Sequence, residues 1–192
     1  MVSPGPAALS ALSSRAAACT ACALHENRSC SVFSSGPADS RLVLLGEAPG
    51  AHENASGRPF CGRSGRLLDE ALEHAGISRS EVYVCNAVKC RPPGNRPPTR
   101  TELAACRPFL VEQLSLVSPA LVITLGASAL RSLGVDFASL DSVRGKTLSL
   151  PSPFAPLRCF PTVHPAYVLR RRPSEYPKFC SDLRTALQLV KD

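Results

Sequence analysis

The chain has 192 residues, which is long enough for one domain that buries a substantial core without disulfides or metals as staples. Its 22 lysines and arginines exceed its 15 acids, and the excess of +7 is concentrated at residues 89–107 and 170–172, which favours a polyanion as partner. No apolar run approaches the roughly 20 residues needed to span a bilayer, and Arg15 interrupts the stretch where a secretory signal would lie. We therefore expect a cytoplasmic protein with one domain over residues 1–192 and no membrane partner.

In chain order, the sequence alternates between helical and extended patterns. The first 18 residues predict a frayed start followed by a helix over about 7–18. Apolar runs predict strands, and apolar residues at helical spacing predict further helices, one of which Pro108 should strain or kink. The strands are 41–45, 81–86, 120–125, 146–150 and 159–163, and the further helices are 64–75, 99–116, 127–133 and 175–189. This alternation predicts an α/β fold with three α/β/α layers and a central, mostly parallel sheet of four to five strands.

Polar side chains follow several predicted strands at the point where each strand ends. Glu47 follows the first strand, Asn86 ends the second and His164 follows the fifth, while the loop after the first strand also carries Glu53 and Phe60. Because the carboxyl ends of parallel strands meet at one edge of a sheet, we expect these side chains to share a ligand site. Taken singly, each also has a structural explanation as a solvated acid, a turn residue or a core aromatic.

Nine cysteines without a secretory signal indicate metal binding or catalysis rather than disulfides. Cys19 and Cys22 form a C-x-x-C pair, whereas Cys90 and Cys106 are separated by 15 residues and flank a proline-rich basic segment. Four thiolates suit either a tetrahedral zinc ion or a cubane iron–sulfur cluster, and the wide second pair favours a cluster. Cys85 and Cys159 lie in predicted strands and are expected to be core residues. Cys30, Cys61 and Cys180 stay open as alternative ligands.

Four blocks of the sequence are more specific together than any one of them is alone. They are GEAPG at Gly46–Gly50, GRPFCGRSG at Gly57–Gly65, NAVKCRPPGNRPP at Asn86–Pro98 and HPAYVLR at His164–Arg170. In this order and spacing they resemble the family 4 uracil-DNA glycosylases, the thermostable-type bacterial and archaeal enzymes that carry a [4Fe–4S] cluster. The resemblance extends from Cys19 to the end of the last predicted helix. It implies a DNA-repair enzyme that flips uracil out of DNA, hydrolyses its N-glycosidic bond and leaves an abasic site.

The resemblance also implies a role for each residue of the expected pocket. A uracil inside a duplex must be rotated out of the stack, and Phe60 is implied to stack on the flipped base. Asn86 can satisfy uracil N3–H and O4 together, and His164 is implied to donate to O2, where negative charge develops. Glu47 and Glu53 stabilise the sugar cation or orient water, and the sequence does not decide which acid holds the water. The remaining residues implied in catalysis or substrate binding are Asn95, Gly46 and Ala48.

DNA binding and the cluster are expected to involve neighbouring segments. The cysteines implied as [4Fe–4S] ligands are Cys19, Cys22, Cys90 and Cys106. Arginines between the last two suggest that the cluster is a structural staple for a phosphate-binding loop, and residues 167–169 suit an apolar wedge that enters the duplex. The expected DNA-binding residues are Arg91, Arg96, Leu169, Arg170 and Arg171. The expected partner is uracil-containing DNA, single- or double-stranded, bound by a monomer in a prokaryotic nucleoid.

Three positions bear on how closely the chain follows the family pattern. Ala166 stands where a serine is usual and Cys61 where a valine is common, and we expect modest effects from both. Ala48 differs from the GEQPG block of the related family X proteins, which capture uracil covalently, and this favours turnover over trapping. The alternatives are a non-catalytic or covalently uracil-trapping iron–sulfur DNA-binding protein, and a zinc-dependent DNA-binding or hydrolytic protein.

Overall fold

A computed structural model describes residues 5–191 and contains a six-stranded sheet. The strands are β1 (Ser34–Ser35), β2 (Leu42–Gly46), β3 (Val82–Asn86), β4 (Leu121–Leu125), β5 (Leu148–Ser149) and β6 (Arg158–Thr162). Their order in the sheet is β1-β3-β2-β4-β6-β5. The four long strands run parallel, and the two short edge strands pair antiparallel with their neighbours. The mostly parallel sheet confirms the predicted fold class, with six strands instead of four to five.

Helices connect and cover the strands. Within the described residues they are α1 (Gly5–Ala17), α2 (Ala51–Ser56), α3 (Arg63–His74), α4 (Arg100–Val117), α5 (Ala127–Ser132), α6 (Leu140–Val143), α7 (Pro165–Arg170) and α8 (Arg172–Lys191). Short 3-10 turns lie at Ala23–His25, Arg79–Glu81 and Pro93–Asn95. None of the helices in this part of the chain combines the length and the apolar character needed to cross a membrane.

Buried apolar side chains cover both faces of the sheet. Every residue of β2, β3 and β4 is buried, and successive side chains of a strand point to opposite faces. Leu42 and Leu44 therefore pack into a core with α3, α7 and α8, whereas Val43 and Leu45 pack into a second core with α1, α4 and α5. The two cores give the predicted three layers.

Short elements account for most differences from the sequence prediction. β1 has only two residues, too few for a periodic pattern, and the strand expected at 146–150 shrinks to Leu148–Ser149. α2, α6 and α7 each span six residues or fewer and were not predicted, whereas the equally short α5 was predicted because Gly126 separates it from β4. α4 continues through Pro108 to Val117, and α8 begins three residues before its predicted start. The expected N-terminal helix is α1, while residues 1–4 lie outside the described part.

The register of the sheet brings several loops together at one edge. Gly46 at the end of β2 lies opposite Asn86 at the end of β3, and the Ala87 N–H donates to the Gly46 carbonyl over 2.9 Å. β6 ends at Thr162, two residues before His164. Because these strands are parallel, the residues that follow them all emerge at the same side of the molecule.

Candidate active site

A cavity of about 480 Å³ opens at the carboxyl edge of the sheet. It unites residues from the ends of β2, β3 and β6 with the proline-rich segment before α4. Its lining includes the four predicted catalytic residues, which are Glu47, Glu53, Asn95 and His164. It also includes three predicted substrate-binding residues (Ala48, Phe60 and Asn86), two predicted DNA-binding residues (Arg96 and Arg170) and Tyr167 of the expected wedge. Side chains separated by more than 100 positions in the sequence thus face one space. Four predicted site residues lie outside this lining, namely Gly46, Arg91, Leu169 and Arg171.

Phe60 and Asn86 converge over Gly46, and this packing explains the glycine. A Cβ atom added to Gly46 would lie 2.3 Å from Asn86 Oδ1 and 2.6 Å from Phe60 Cζ, closer than real Cβ atoms approach. Phe60 itself has a left-handed backbone with φ of 53°, a strained conformation for a bulky residue. Its carbonyl oxygen would lie 1.7 Å from a Cβ on Gly65. The two glycines therefore permit the loop conformation that places the Phe60 ring in the cavity. Gly46 itself packs against both Phe60 and Asn86.

Asn86 carries a buried polar atom that lacks a partner. The residue is 2% exposed, and no hydrogen bond from the described residues reaches its Oδ1. An unpaired buried acceptor costs roughly 1–3 kcal/mol, so native structures rarely keep one without a use. Because Asn86 lines the cavity, a ligand with a hydrogen-bond donor would satisfy this oxygen.

His164 is held by the start of α7 in one tautomer. Its Nδ1 accepts a hydrogen bond from the Ala166 backbone N–H over 3.1 Å, so the neutral ring carries its proton on Nε2. Burial, assisted by the positive charge of Arg170 and opposed by Glu53, lowers the pKa of His164 to about 4. The ring centroid lies 5.9 Å from that of Phe60. His164 is thus a neutral donor beside an aromatic face, and a backbone group provides its anchor although Ala166 lacks the usual serine hydroxyl.

The two acids of the cavity differ in how fully they are bonded. Glu53 lies in α2, where its carboxylate accepts backbone N–H bonds from Gly50 at 3.1 Å, Cys61 at 3.1 Å and Gly62 at 3.0 Å. These bonds connect Gly50, which precedes α2, to Cys61 and Gly62, which follow Phe60. The half-buried Glu47 makes no side-chain hydrogen bond or ion pair with the described residues. Its carboxylate is therefore available to a ligand, whereas that of Glu53 stabilises the loop.

The proline-rich segment is fixed by its own polar contacts. Arg91 Nε donates to Asn95 Oδ1 over 2.8 Å, which orients Asn95 at the rim of the cavity. Arg96 forms a two-pronged ion pair with Glu102 at 2.7 and 2.8 Å. Hydrogen bonding from Arg96 lowers the pKa of the Glu102 carboxyl to about 2, assisted by the Thr99 backbone and against the effect of burial. The predicted DNA-binding residues Arg91 and Arg96 thus have structural partners that the sequence did not reveal.

The segment after His164 only partly matches the expected wedge. Val168 is fully buried in the core beneath α7, so the expectation that residues 167–169 form a wedge is wrong for this residue. Leu169 is partly buried against the same core. Arg170 and Arg171 are exposed, and the Arg171 guanidinium lies 5.4 Å from the Tyr167 ring centroid. Leu169 and the two arginines therefore stay candidates for contact with DNA.

The four cysteines implied as ligands line a second, smaller and mainly apolar cavity between α1, α4 and the Ala23–His25 turn. They are Cys19, Cys22, Cys90 and Cys106. The Cys90 sulfur accepts from Arg28 Nη1 at 3.2 Å, and the Cys19 sulfur accepts from the Ala21 N–H at 3.5 Å. No three His, Cys, Asp or Glu side chains within residues 5–191 converge on a single ion position. Four thiols thus line one cavity, and N–H groups donate to two of their sulfurs.

The other cysteines have different surroundings. Cys85 and Cys159 are completely buried in β3 and β6, as expected for core residues. Cys30 donates to the Asn54 carbonyl at 2.9 Å, and the Cys61 sulfur lies 3.1 Å from Ser56 Oγ. Cys180 is buried in α8, and none of the three competitors lines the four-cysteine cavity.

Comparison with known proteins adds an independent line of evidence. The model of the uracil DNA glycosylase superfamily matches residues 33–190. A type-4 uracil-DNA glycosylase of Thermotoga maritima is 44% identical over 183 residues, which are 94% of this chain and 93% of the relative. A type-4 uracil-DNA glycosylase of Pyrobaculum aerophilum is 41% identical over 169 residues, or 86% of each chain. A type-5 uracil-DNA glycosylase of Thermus thermophilus is 38% identical over 117 residues, or 53% of each chain. Similarity to the type-4 proteins thus spans far more of the chain.

Proposed function

Because this chain belongs to the uracil DNA glycosylase superfamily, we propose that it excises uracil from DNA by hydrolysis and leaves free uracil and an abasic site. The family predicted from the sequence is confirmed. The observation that carries the proposal is the unpartnered Oδ1 of Asn86 in a cavity also lined by Phe60 and His164. A planar ligand with a polar edge would fit these three groups.

Recognition of uracil rests on the amide of Asn86 and the ring of Phe60. Asn86 Oδ1 accepts the uracil N3–H, and Nδ2 donates to O4. Cytosine has no hydrogen on N3 and carries an amino group in place of O4, so both contacts would become repulsive. The Phe60 ring stacks on the base face, as base-flipping enzymes require.

Bond cleavage rests on His164 and Glu47. As the bond between sugar C1′ and uracil N1 breaks, its electron pair leaves with the base and negative charge grows on O2. The neutral His164 donates its Nε2–H to this oxygen. The half-buried Glu47 faces the cationic sugar and accepts a proton from the attacking water, whose oxygen bonds to C1′. The uracil anion then takes up a proton from solvent on N1, and Glu47 returns its proton to solvent, so that one water is added across the broken bond. Glu53 acts indirectly, by holding the loop of Phe60, and Asn95 closes the rim.

DNA is gripped around the rim of the cavity. The exposed Arg170 and Arg171 contact phosphates, and Leu169 fills the space that the flipped base leaves. Arg91 and Arg96 contribute positive charge from the opposite rim, although each also holds a neighbour in place. We infer that a monomer acts on single- or double-stranded uracil-containing DNA in the cytoplasm, where the nucleoid lies.

A [4Fe–4S] cluster is proposed to be held by Cys19, Cys22, Cys90 and Cys106. When bound, it joins the N-terminal segment to the segment between β3 and α4 and supplies structural cross-linking rather than a step of the reaction. Burial raises the pKa of the Cys106 thiol, so the thiolates need a compensating positive core, which iron provides. Visible absorption and iron content of freshly purified protein test this assignment and separate iron from zinc.

Uracil release is the decisive test of the function. Purified protein is incubated with single- and double-stranded oligonucleotides that carry one uracil, and abasic sites are revealed by alkaline strand cleavage. We expect cleavage at uracil and none in matched oligonucleotides with cytosine or thymine. A protein with its full iron content that releases uracil from neither substrate would refute the proposal. A stable protein–DNA adduct detected by mass spectrometry would instead support covalent trapping.

A further inference from the structure

Lys89 is buried although it is not part of an ion pair. It is 1% exposed, and none of the ion pairs among residues 5–191 includes it. Its Nζ donates to the Asn86 carbonyl oxygen at 2.7 Å and to Gln113 Oε1 at 2.6 Å, and it lies 5.6 Å from the Phe33 ring centroid. Lysines are almost never fully buried without an anionic partner, so this ammonium requires an explanation.

The position of Lys89 places it between the two cavities. Its side chain holds the backbone of Asn86, whose amide faces the larger cavity. The residue also lines the four-cysteine cavity, directly before Cys90 and in the same lining as Cys106. Gln113, its second acceptor, is itself fixed by a 2.7 Å bond to the Tyr83 hydroxyl. The ammonium is therefore held by two acceptors behind Asn86, in a residue that also lines the cysteine cavity.

The cysteine cavity offers a source of negative charge for this ammonium. Four thiolates around an iron–sulfur core leave an excess of negative charge on the cluster and its ligands. Attraction between opposite charges is strong where water is excluded, and it offsets part of the cost of burying each charge. Backbone and amide oxygens bonded to Lys89 supply only partial charges. A bound cluster would thus supply the negative charge that Lys89 lacks among its contacts within residues 5–191.

We propose that Lys89 is a positioning residue that couples the cluster to uracil recognition. Its charge is balanced by the cysteine thiolates, and its hydrogen bond to the Asn86 carbonyl keeps the Asn86 amide directed at the base. Loss of the cluster would leave the ammonium without a counter-charge and loosen Asn86. The recognition half of this inference rests on the proposed function, and the charge half rests on the proposed cluster, so a purified protein without iron would overturn the charge half.

Lys89→Met tests both halves, because methionine fills a similar volume without charge or donor. We expect the variant to lose its visible cluster absorption to an iron chelator faster than the wild type. We also expect its affinity for free uracil, measured by product inhibition, and its kcat/KM to fall by about 10- to 100-fold. This is the range for residues that act through a hydrogen bond to a residue in direct contact with the bound group. Tyr83→Phe is the matched control, since it leaves the ammonium, both of its acceptors and the bond from Gln113 to the Phe33 carbonyl in place, and it should behave like the wild type.

The outcomes separate this inference from the proposed function. Wild-type bleaching and wild-type uracil affinity in Lys89→Met would overturn the inference while uracil release by the wild type still supports the function. If the wild type releases no uracil, the function fails, and chelator bleaching still tests the charge balance. If Lys89→Met does not fold, Gln113→Leu replaces it. That variant keeps the charge but removes one acceptor, so we expect normal bleaching with weaker uracil binding, and unchanged uracil binding would refute the positioning role.

Discussion

Two polar sites lie near the end of β6, and they differ in how completely their atoms are paired. On one side, Arg144 donates to Asp182 at 2.8 Å and to Glu175 at 2.7 Å, and Thr162 also donates to Asp182. In that network only Nη2 of Arg144 lacks a partner. On the other side, His164 borders a cavity in which the carboxylate of Glu47 and the Oδ1 of Asn86 have no partners among residues 5–191.

The difference separates groups that stabilise the fold from groups kept for a ligand. Hydrogen bonding to Arg144 lowers the pKa of Glu175, which is the signature of a charge satisfied within the protein. Unpaired polar atoms in a cavity can form hydrogen bonds or ion pairs only with a ligand, so they contribute to binding and not to the stability of the fold. Substitutions in the first site should therefore change stability, and those in the second should change activity.

The largest effect is expected for Glu47→Gln. Glutamine keeps the shape of the side chain but can neither accept the proton of water nor stabilise a cationic sugar. We expect kcat for uracil release to fall by about 10²–10⁴-fold, the range for a lost general base. DNA binding, measured by fluorescence anisotropy, and the melting temperature should stay close to the wild type because Glu47 has no partner to lose.

Glu53→Gln is the matched control for this substitution. Its carboxylate joins Gly50 to Cys61 and Gly62, so neutralising it weakens three charge-assisted bonds. We expect a lower melting temperature together with a smaller loss of kcat. If Glu53→Gln lost more kcat than Glu47→Gln at unchanged stability, the two acids would have been assigned in the wrong order.

Arg144→Met should have the next largest effect, and it should act on stability. Removing the guanidinium leaves the buried Glu175 with only the exposed Lys178 at 3.2 Å and the partly buried Asp182 with only Thr162, which costs at most about 3–5 kcal/mol. The loss should be visible as a lower midpoint in urea denaturation. Activity per folded molecule should be retained, as a titration of active sites would reveal. A large loss of kcat in fully folded Arg144→Met would contradict the proposed division between the two sites.

His164→Gln should lower kcat by about 10²–10³-fold, the range for removal of one donor to a developing anion. It should also change how stability depends on pH. Since the pKa of His164 falls from its usual 6.5 to about 4 in the folded protein, the unfolded chain binds more protons between these values. Wild-type stability should therefore decline as pH falls from 6.5 towards 4. Urea denaturation across this range should give a shallower decline for His164→Gln, and identical slopes would argue against a neutral histidine.

The sequence predicted the site better than it predicted the segments between its parts. Strand ends can be located from apolar runs followed by glycine or polar residues, and parallel pairing then brings those ends to one edge. Glu47, Asn86 and His164 were placed together in this way, and the structure has all three in one cavity. Their joint presence follows from topology, which the alternating pattern already specified.

Contacts made by side chains across the chain could not be predicted. The pairing of Arg96 with Glu102 depends on the path of a proline-rich loop, for which no periodic signal exists. Val168 looked like part of an exposed wedge because α7 is too short for its buried side to be recognised. Lys89 was counted in the basic segment that favours a polyanion partner, because a lysine in sequence is normally a surface residue, and its burial contradicts that interpretation. A buried lysine one position before a candidate ligand is a feature that only coordinates reveal.

The strained backbone of Phe60 bears on the kinetics of turnover. A left-handed phenylalanine, locked between Gly46 and Gly65, cannot relax when the cavity is empty, so the base meets a wall that is already in place. Little ordering entropy is then lost when uracil enters. The same rigidity means that cleaved uracil keeps the contacts it had before its bond broke. We therefore expect release of uracil to be a slow step, and free uracil to compete with substrate for the cavity.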